Sequence, residues 1–458
     1  MIRDMTKGSE IKHILIFFVP TLFSNLFQQL YALVDIIVVG QFSGTKALAG
    51  VGAAYPAILL VLSLAIGVAQ GGATVIGQYF GAGKHDELKK IISTFTISAF
   101  IGSFILAIGG LLLSGFLVDI TQVPEESITP ALEYMNIMFL GIPLMVFYNL
   151  YREIMYAMGN ARSPIVFLIL ASILNAVLDI IFVAVFNWGV AGAAWATVIS
   201  QFLCSASCVI YALYKIPLLK FNKGEFRFHK EYFQTILKLG IVRGLQYSAA
   251  SVGMVIMQSF VNGLGVATIA AFRAVESVTS AVVYLPIQNL AQSFKIFTSQ
   301  NIGADLMKRI KKALFGTLCI GIAISIFTSI LLLFFSDNIM NLFISQNETG
   351  RLEVIAKGTA YLQTIAVFYI IYTATQIIND MMYGAGEVKL SALSSAATIV
   401  SRLVFAIFLI PFIHDRGIWI SVPIGWGIGF IITLYAYIKG RWKNSHIVKR
   451  QKIQENIE

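Results

Sequence analysis

A chain of 458 residues with 57% hydrophobic and only 12% charged residues departs from soluble globular domains, which run near ~25% charged. Apolar stretches recur from end to end, each long enough to cross roughly 30 Å of hydrocarbon, so the bilayer is the solvent. This composition excludes disorder, collagen and coiled coil, and runs that are continuously apolar, without alternation at every second residue, argue against a transmembrane β-barrel. The net charge of +10 sits at span ends and in the tail, which points to anionic lipid headgroups and away from nucleic acid.

Breaks at charges and turn residues predict an all-α integral membrane protein. Its twelve spans cover 14–39, 47–79, 91–118, 130–157, 164–186, 189–214, 234–262, 266–299, 313–335, 352–383, 391–413 and 417–438. The first apolar stretch is too long for a signal-peptide core and lacks a small-residue cleavage site, so it is read as a retained helix. The side holding the N-terminus carries 23 Lys and Arg, including Lys84, Lys89 and Lys90 after span 2 and Lys215, Lys220, Lys223, Arg227 and Lys230 after span 6. The other side carries Lys46, Arg351 and Arg416. That asymmetry predicts both termini in the cytoplasm, as an even number of spans requires.

A charge at the bilayer centre costs at least roughly 2.5 to 3.5 kcal/mol on insertion scales, so each charge inside a span needs a partner or a water-filled cavity. In span 1, Asp35 lies about 8 Å from the outer end. After span 2, Gly81-Ala-Gly-Lys84 resembles the end of a phosphate-binding loop. His85 stands where Ser or Thr is needed and Gln78 where the first glycine belongs, so no ATP site forms. In span 5, Asp179 lies roughly 12 Å deep, with Asn175 one turn below it on the same face, and Thr197 of span 6 matches that depth. Two carboxylates, an amide and a hydroxyl in one layer suit sodium, or a proton shared between carboxylates that cannot both ionise cheaply in low dielectric. The alternative is structural: the carboxylates cap helix ends or bond to Asn and Thr.

A short basic linker, 215–233, leads into a second half that repeats the first. An offset of 222 lays QYFGAGKHDELKK (78–90) over QNIGADLMKRIKK (300–312), and an offset of 227 lays MYAMGNAR (155–162) over MYGAGEVK (382–389). Two parallel six-helix lobes, 1–214 and 234–440, with a basic tail at 441–458, imply a pseudo-two-fold axis along the membrane normal and a cavity between the lobes. The second lobe lacks the acidic layer, since Ile256 aligns near Asp35 and Ala406 with Asp179. It has Arg273 and Glu276 in span 8 and Arg402 in span 11. Glu276 and Arg402 lie near the midplane, either as a fixed ion pair or as part of a substrate cavity. Glu153 and Asp380 align in the repeat and are expected to meet Arg152, Arg162 or Lys389. Lys238 and Lys295 are expected to snorkel inward, Arg243 has no evident partner, and Trp188, Trp419 and Trp442 read as interfacial belt residues. Cys204, Cys208 and Cys319 fall in apolar runs and read as structural. The five histidines lie in loops or at span ends, offering no intramembrane zinc pair or nucleophile. The chain is therefore not an enzyme, needs no cofactor, and any pumping must draw on an ion gradient.

The span-1 pattern PTLFSNLFQQLYALVDIIVVGQ (with Pro20, Tyr31, Asp35, Gly40 and Gln41), GQYFGAGK after span 2 and NAVLD in span 5 resemble the multidrug and toxic compound extrusion (MATE) family. They are most similar to its bacterial branch related to the DNA-damage-inducible F protein. The resemblance implies a cytoplasmic-membrane antiporter, expected as a monomer without an obligate protein partner, that exports amphipathic and often cationic compounds in exchange for sodium or protons. It also implies that Asp35, Asn175, Asp179 and Thr197 form the cation site, with sodium at Asp35 and Asp179, and that Pro20 lets span 1 bend. Val242, followed by Arg243, stands opposite Pro20 in the repeat, so the same bending does not carry over to span 7. A flippase for a lipid-linked saccharide or other lipid, and a passive channel, are the alternative readings.

Overall fold

The computed structural model describes residues 2–120, 123–222, 224–344 and 350–448. Lys223, the basic tail beyond 448 and the side chain of Tyr31 lie outside the described residues. Before the linker come α1 (Glu10–Phe42), α2 (Gly44–Gly81), α3 (His85–Ile120), α4 (Glu125–Ala157), α5 (Arg162–Asp179) and α6 (Gly189–Lys215), with α5 continuing as a π-helical segment over Ile180–Val185. After it come α7 (Lys230–Asn262), α8 (Val266–Thr279), α9 (Leu285–Gly303), α10 (Met307–Phe343), α11 (Arg351–Ala366), α12 (Tyr369–Ala385), α13 (Val388–Ile413) and α14 (Asp415–Lys439). A π-helical segment, Ser280–Tyr284, joins α8 to α9 as one span.

Among the described residues, eleven spans are long and apolar enough to cross a membrane unaided, and α11 and α12, meeting at 54°, make a twelfth that is broken. No Gly or Pro marks that break. The Ser329 hydroxyl of α10 donates to the Ala366 carbonyl at 2.6 Å, so a neighbouring helix satisfies a backbone group released where the span bends. The outer surface is apolar, with Leu112, Phe315 and Phe334 more than 70% exposed, as a lipid-facing exterior requires.

Four apolar clusters hold the bundle together, and their membership describes its shape. Two draw on one half each, around Ala54, Phe139 and Ile142 and around Phe272, Leu362 and Ile418. The other two cross between halves. Ile236 and Leu239 of α7 pack into a cluster built mainly on α2, α3 and α4, while Phe17 and Phe18 of α1 pack with Phe294 and Phe297 of α9. Both crossing clusters lie toward the end of the bundle that carries the chain termini. The halves are therefore joined at that end and separate toward the other.

Two pairs of close contacts complete the junction. Gly67 and Gly71 of α2 face Gly244 and Gly240 of α7 backbone to backbone; a Cβ on Gly67 would lie 2.3 Å from the Gly244 nitrogen. This is the small-residue packing by which membrane helices approach closely. Nearer the termini, Gly81 abuts the Gln300 carbonyl and Gly303 the Gln78 carbonyl. The Gln78 amide donates to Gly384 O at 3.0 Å and the Gln300 amide to Ala157 O at 2.8 Å. These pairs are related by the same offsets, 222 and 227, that align the two halves of the sequence. Each glutamine oxygen also accepts a backbone N–H from a terminal segment, Ile447 at 2.8 Å and Met5 at 2.9 Å.

The aromatic belt needs correction. Trp188 is half exposed, but Trp419 and Trp442 are 2% and 1% exposed. Trp419 stacks on Tyr361 and Trp442 on Tyr437, so burial among aromatic neighbours replaces the expected interfacial position. Cys204 and Cys208 are buried, whereas Cys319 is exposed.

Candidate functional site

The polar layer expected in the first half comes together in space. α1 supplies Asp35, α5 supplies Asn175 and Asp179, and α6 supplies Thr197. The Asn175 amide, oriented by the acceptors around it, donates to Asp35 Oδ1 and Asp179 Oδ2 at 3.0 Å each, and its oxygen accepts the Thr197 backbone N–H at 3.2 Å. The Thr197 hydroxyl donates to Asp35 Oδ2 at 3.4 Å. Asn175, Asp179 and Thr197 are buried, and Asp179 Oδ1 has no hydrogen-bond partner among the described residues. Two carboxylates thus share one amide, with an oxygen left for a cation or a proton. Asp179 is also the last residue before the π-helical turn, a distortion often found at functional sites and invisible to hydropathy.

Pro20 lies within α1, which runs unbroken across it. A proline cannot donate to the carbonyl four residues earlier, and the Thr21 hydroxyl donates to the next two carbonyls, Phe17 at 3.1 Å and Phe18 at 2.9 Å. The carbonyl that Pro20 leaves open is that of Ile16, and Thr21 bonds the two carbonyls that follow it.

In the second half Arg402 lies 3.5 Å from Glu276, which also accepts from the Tyr361 hydroxyl at 3.3 Å. Arg273 is exposed and takes no part in the pair. The 227 offset places Arg402 where the first half has Asn175. One half thus gathers two carboxylates about a neutral amide, while the other neutralises its carboxylate with its own guanidinium.

Between the halves lies a cavity of about 540 Å³, bounded by α1, α2 and α4 on one side and α7, α9, α12 and α13 on the other. Its wall corrects two expectations. Asp380 meets neither Arg152, Arg162 nor Lys389; it accepts from Arg243 at 2.8 Å, which gives that arginine its partner. Lys295 is fully buried and cannot snorkel: its ammonium donates to Gln70 Oε1 at 3.1 Å. Glu153 does meet Arg152, at 3.2 Å. Lys238 lies on the exposed side of α7. The charges at Arg243 and Lys295 were visible as residues inside spans, but nothing in the sequence pointed to Gln70, the amide that both contact.

The MatE family model matches residues 20–181 and 244–408. The chain is 27% identical over 98% of its length to a probable multidrug resistance protein, YoeA, of Bacillus subtilis, covering 97% of that protein. It is 28% identical over 96% of its length to a second from the same organism, YpnP, again covering 97%. Its fold is similar to a crystal structure of MATE in the bent conformation, with a TM-score of 0.89, 23% identity and coverage of 96% of this chain and 98% of that one. With the helical bundle, its two repeats and the cavity between them, these matches establish that the chain belongs to the MatE family, whose members are membrane transporters and not enzymes.

Proposed function

We propose that the chain is a secondary active multidrug exporter of the bacterial cytoplasmic membrane, oriented with both termini inside, that expels amphipathic organic compounds in exchange for sodium or protons. The observation that carries this reading is the cluster of Asp35, Asn175, Asp179 and Thr197, in which two carboxylates share one amide and one buried oxygen lacks a partner. Uncompensated carboxylates inside a membrane domain favour a cation, and the cluster contains no fixed positive charge to supply one. The multidrug resistance relatives support the substrate breadth and lend nothing to lipid transport.

α1 connects the ion to the cargo. Thr21, Asn25 and Gln28 on this helix line the central cavity, and Asp35 lies about 10 Å farther along it at 1.5 Å per residue. A cation entering from outside draws Asp35, Asn175 and Asp179 together and changes how α1 packs against the cavity. Coupling requires that the ion bind the two states of the transporter unequally, because equal affinity shifts nothing. Rocking of one half against the other about the Gly67–Gly244 contact, with the Gly81–Gln300 junction parting, then exposes the cavity alternately.

The test is efflux of fluorescent dyes from proteoliposomes under an imposed sodium or proton gradient. The parent protein is expected to respond to one gradient, and Asp35→Asn to fall to the rate seen without any gradient. Full gradient-driven efflux by Asp35→Asn would overturn the assignment.

A further inference from the structure

The charges around the central cavity do not suit a cationic cargo. Five charged side chains lie in or directly behind its wall, Arg152, Glu153, Arg243, Lys295 and Asp380, and they pair off unequally. Arg243 is held by Asp380 at 2.8 Å and Arg152 by Glu153 at 3.2 Å. That leaves Lys295, a fully buried ammonium whose acceptor is the neutral oxygen of Gln70 at 3.1 Å. Asp380 is committed to Arg243, and Glu153 meets Arg152 through Oε1 while its Oε2 has no hydrogen-bond partner among the described residues. An organic cation entering here would meet three positive side chains against two carboxylates that each already hold an arginine, and such like-charge juxtaposition in low dielectric is unfavourable.

The rest of the wall reinforces the point. Ten of its twenty residues are Asn or Gln, and Ile66 and Ala250 are its only aliphatic members. Pockets for apolar drugs are lined mainly by hydrophobic and aromatic side chains with few polar groups, the reverse of this composition. Amides both donate and accept, so the wall can bond hydroxyls, amides and oxyanions. It also holds unspent donor capacity: Arg152 Nε and Gln246 Nε2 have no hydrogen-bond partner among the described residues. A volume of about 540 Å³ suits a small organic molecule.

We infer that the cavity binds a small, hydrogen-bonding organic anion bearing a carboxylate or other oxyanion, with Lys295 as the counter-charge and the amide wall as the recognition surface. This rests on the reading of the chain as an exporter whose cargo passes through the cavity, and it replaces the expectation of cationic cargo. Lys295 belongs to α9, the helix whose far end closes against Gln78, so an anion drawn to the ammonium lies next to the junction that must open. Unlike Arg152 and Arg243, it can receive the anion without first releasing a carboxylate.

The test uses two xanthene dyes of matched size and opposite charge, 5-carboxyfluorescein and rhodamine 123, titrated against the purified full-length protein by fluorescence anisotropy. The parent is expected to bind the anion at least about tenfold more tightly than the cation. Lys295→Gln is expected to weaken the anion by about tenfold or more while leaving the cation unchanged or improved, and Lys295→Arg to retain anion binding. Tighter binding of the cation by the parent, no binding of the anion, or equal loss of both dyes in a folded Lys295→Gln would each overturn the inference; the order of the dyes on the parent needs no variant. Anion binding with no gradient-driven efflux would count against the exporter and leave the anion site standing. Gradient-driven efflux with the dye order reversed would remove the anion site alone.

Discussion

The two ionic layers inside the spans share a residue class but not a role. Glu276 and Arg402 satisfy each other, with Tyr361 as a third partner, and removing one member leaves the other uncompensated. Arg402→Met is therefore expected to lower the apparent melting temperature by an amount equivalent to on the order of 2 kcal/mol, and Glu276→Gln combined with Arg402→Met to recover most of it. Gradient coupling should survive in the double variant. The check is a thermal melt beside the proteoliposome assay; loss of coupling in a stable double variant would move the pair from scaffold to mechanism. Asp35 and Asp179 behave oppositely, because neither has, among the described residues, an arginine or lysine partner that its removal would strand, so Asp35→Asn should leave stability intact while removing coupling. Depth along the helix was enough to place Asp35, Asn175, Asp179 and Thr197 in one layer. It could not place Arg243 or Lys295, since a charge inside a span announces that it needs a partner without saying which helix supplies it.

Among elements, the α2–α7 pair decides how closely the halves approach. A Cβ on Gly71 would lie 2.5 Å from the Gly240 nitrogen and 2.8 Å from its Cα, and neither backbone atom can yield as a flexible side chain can. Gly71→Val is expected to destabilise the protein by about 2 kcal/mol or more through overpacking. Gly102→Ala, where nothing lies within 4 Å of the added carbon, is expected to be neutral or slightly stabilising. Equal melting temperatures for the two variants would show that the α2–α7 contact is not a tight one. The α11–α12 break shows the limit of reading elements from sequence. The stretch around Val367 and Phe368 is as apolar as its surroundings and carries no breaker, and the backbone carbonyl at the bend is bonded by Ser329 from another helix.

For the molecule as a whole, the paired glutamines close one end of the cavity. Each bonds a carbonyl of the opposite half and a backbone N–H of a terminal segment. Replacing one by alanine leaves two backbone groups unpaired, at a cost of about 1 to 3 kcal/mol, and favours the state in which that end is open. In a Cys319→Ser background, Ser395→Cys in the cavity wall is expected to react with a membrane-impermeant thiol reagent mainly from the side away from the termini. Adding Gln78→Ala and Gln300→Ala should raise labelling from the terminal side by about tenfold or more. Unchanged labelling would mean that the glutamines do not hold the closed state.

The amino-acid sequence by itself determined what depends on local or periodic information: helical spans long enough for a bilayer, two halves in register, and the depth of each polar residue along its own helix. The repeat aligned Gln78 with Gln300 and Gly81 with Gly303, and it is the folded chain that sets each glutamine against the glycine of the opposite half. Only the tertiary structure decided which way each helix faces. Lipid and protein interior are both apolar, so hydropathy cannot tell a lipid-facing surface from a buried one. For that reason Trp419 and Trp442 read as interfacial although they are buried, and Lys295 read as a snorkelling lysine although it faces the cavity between the halves. The polarity of that cavity is set by side chains from seven helices distant in sequence, and it exists only once the halves have packed together.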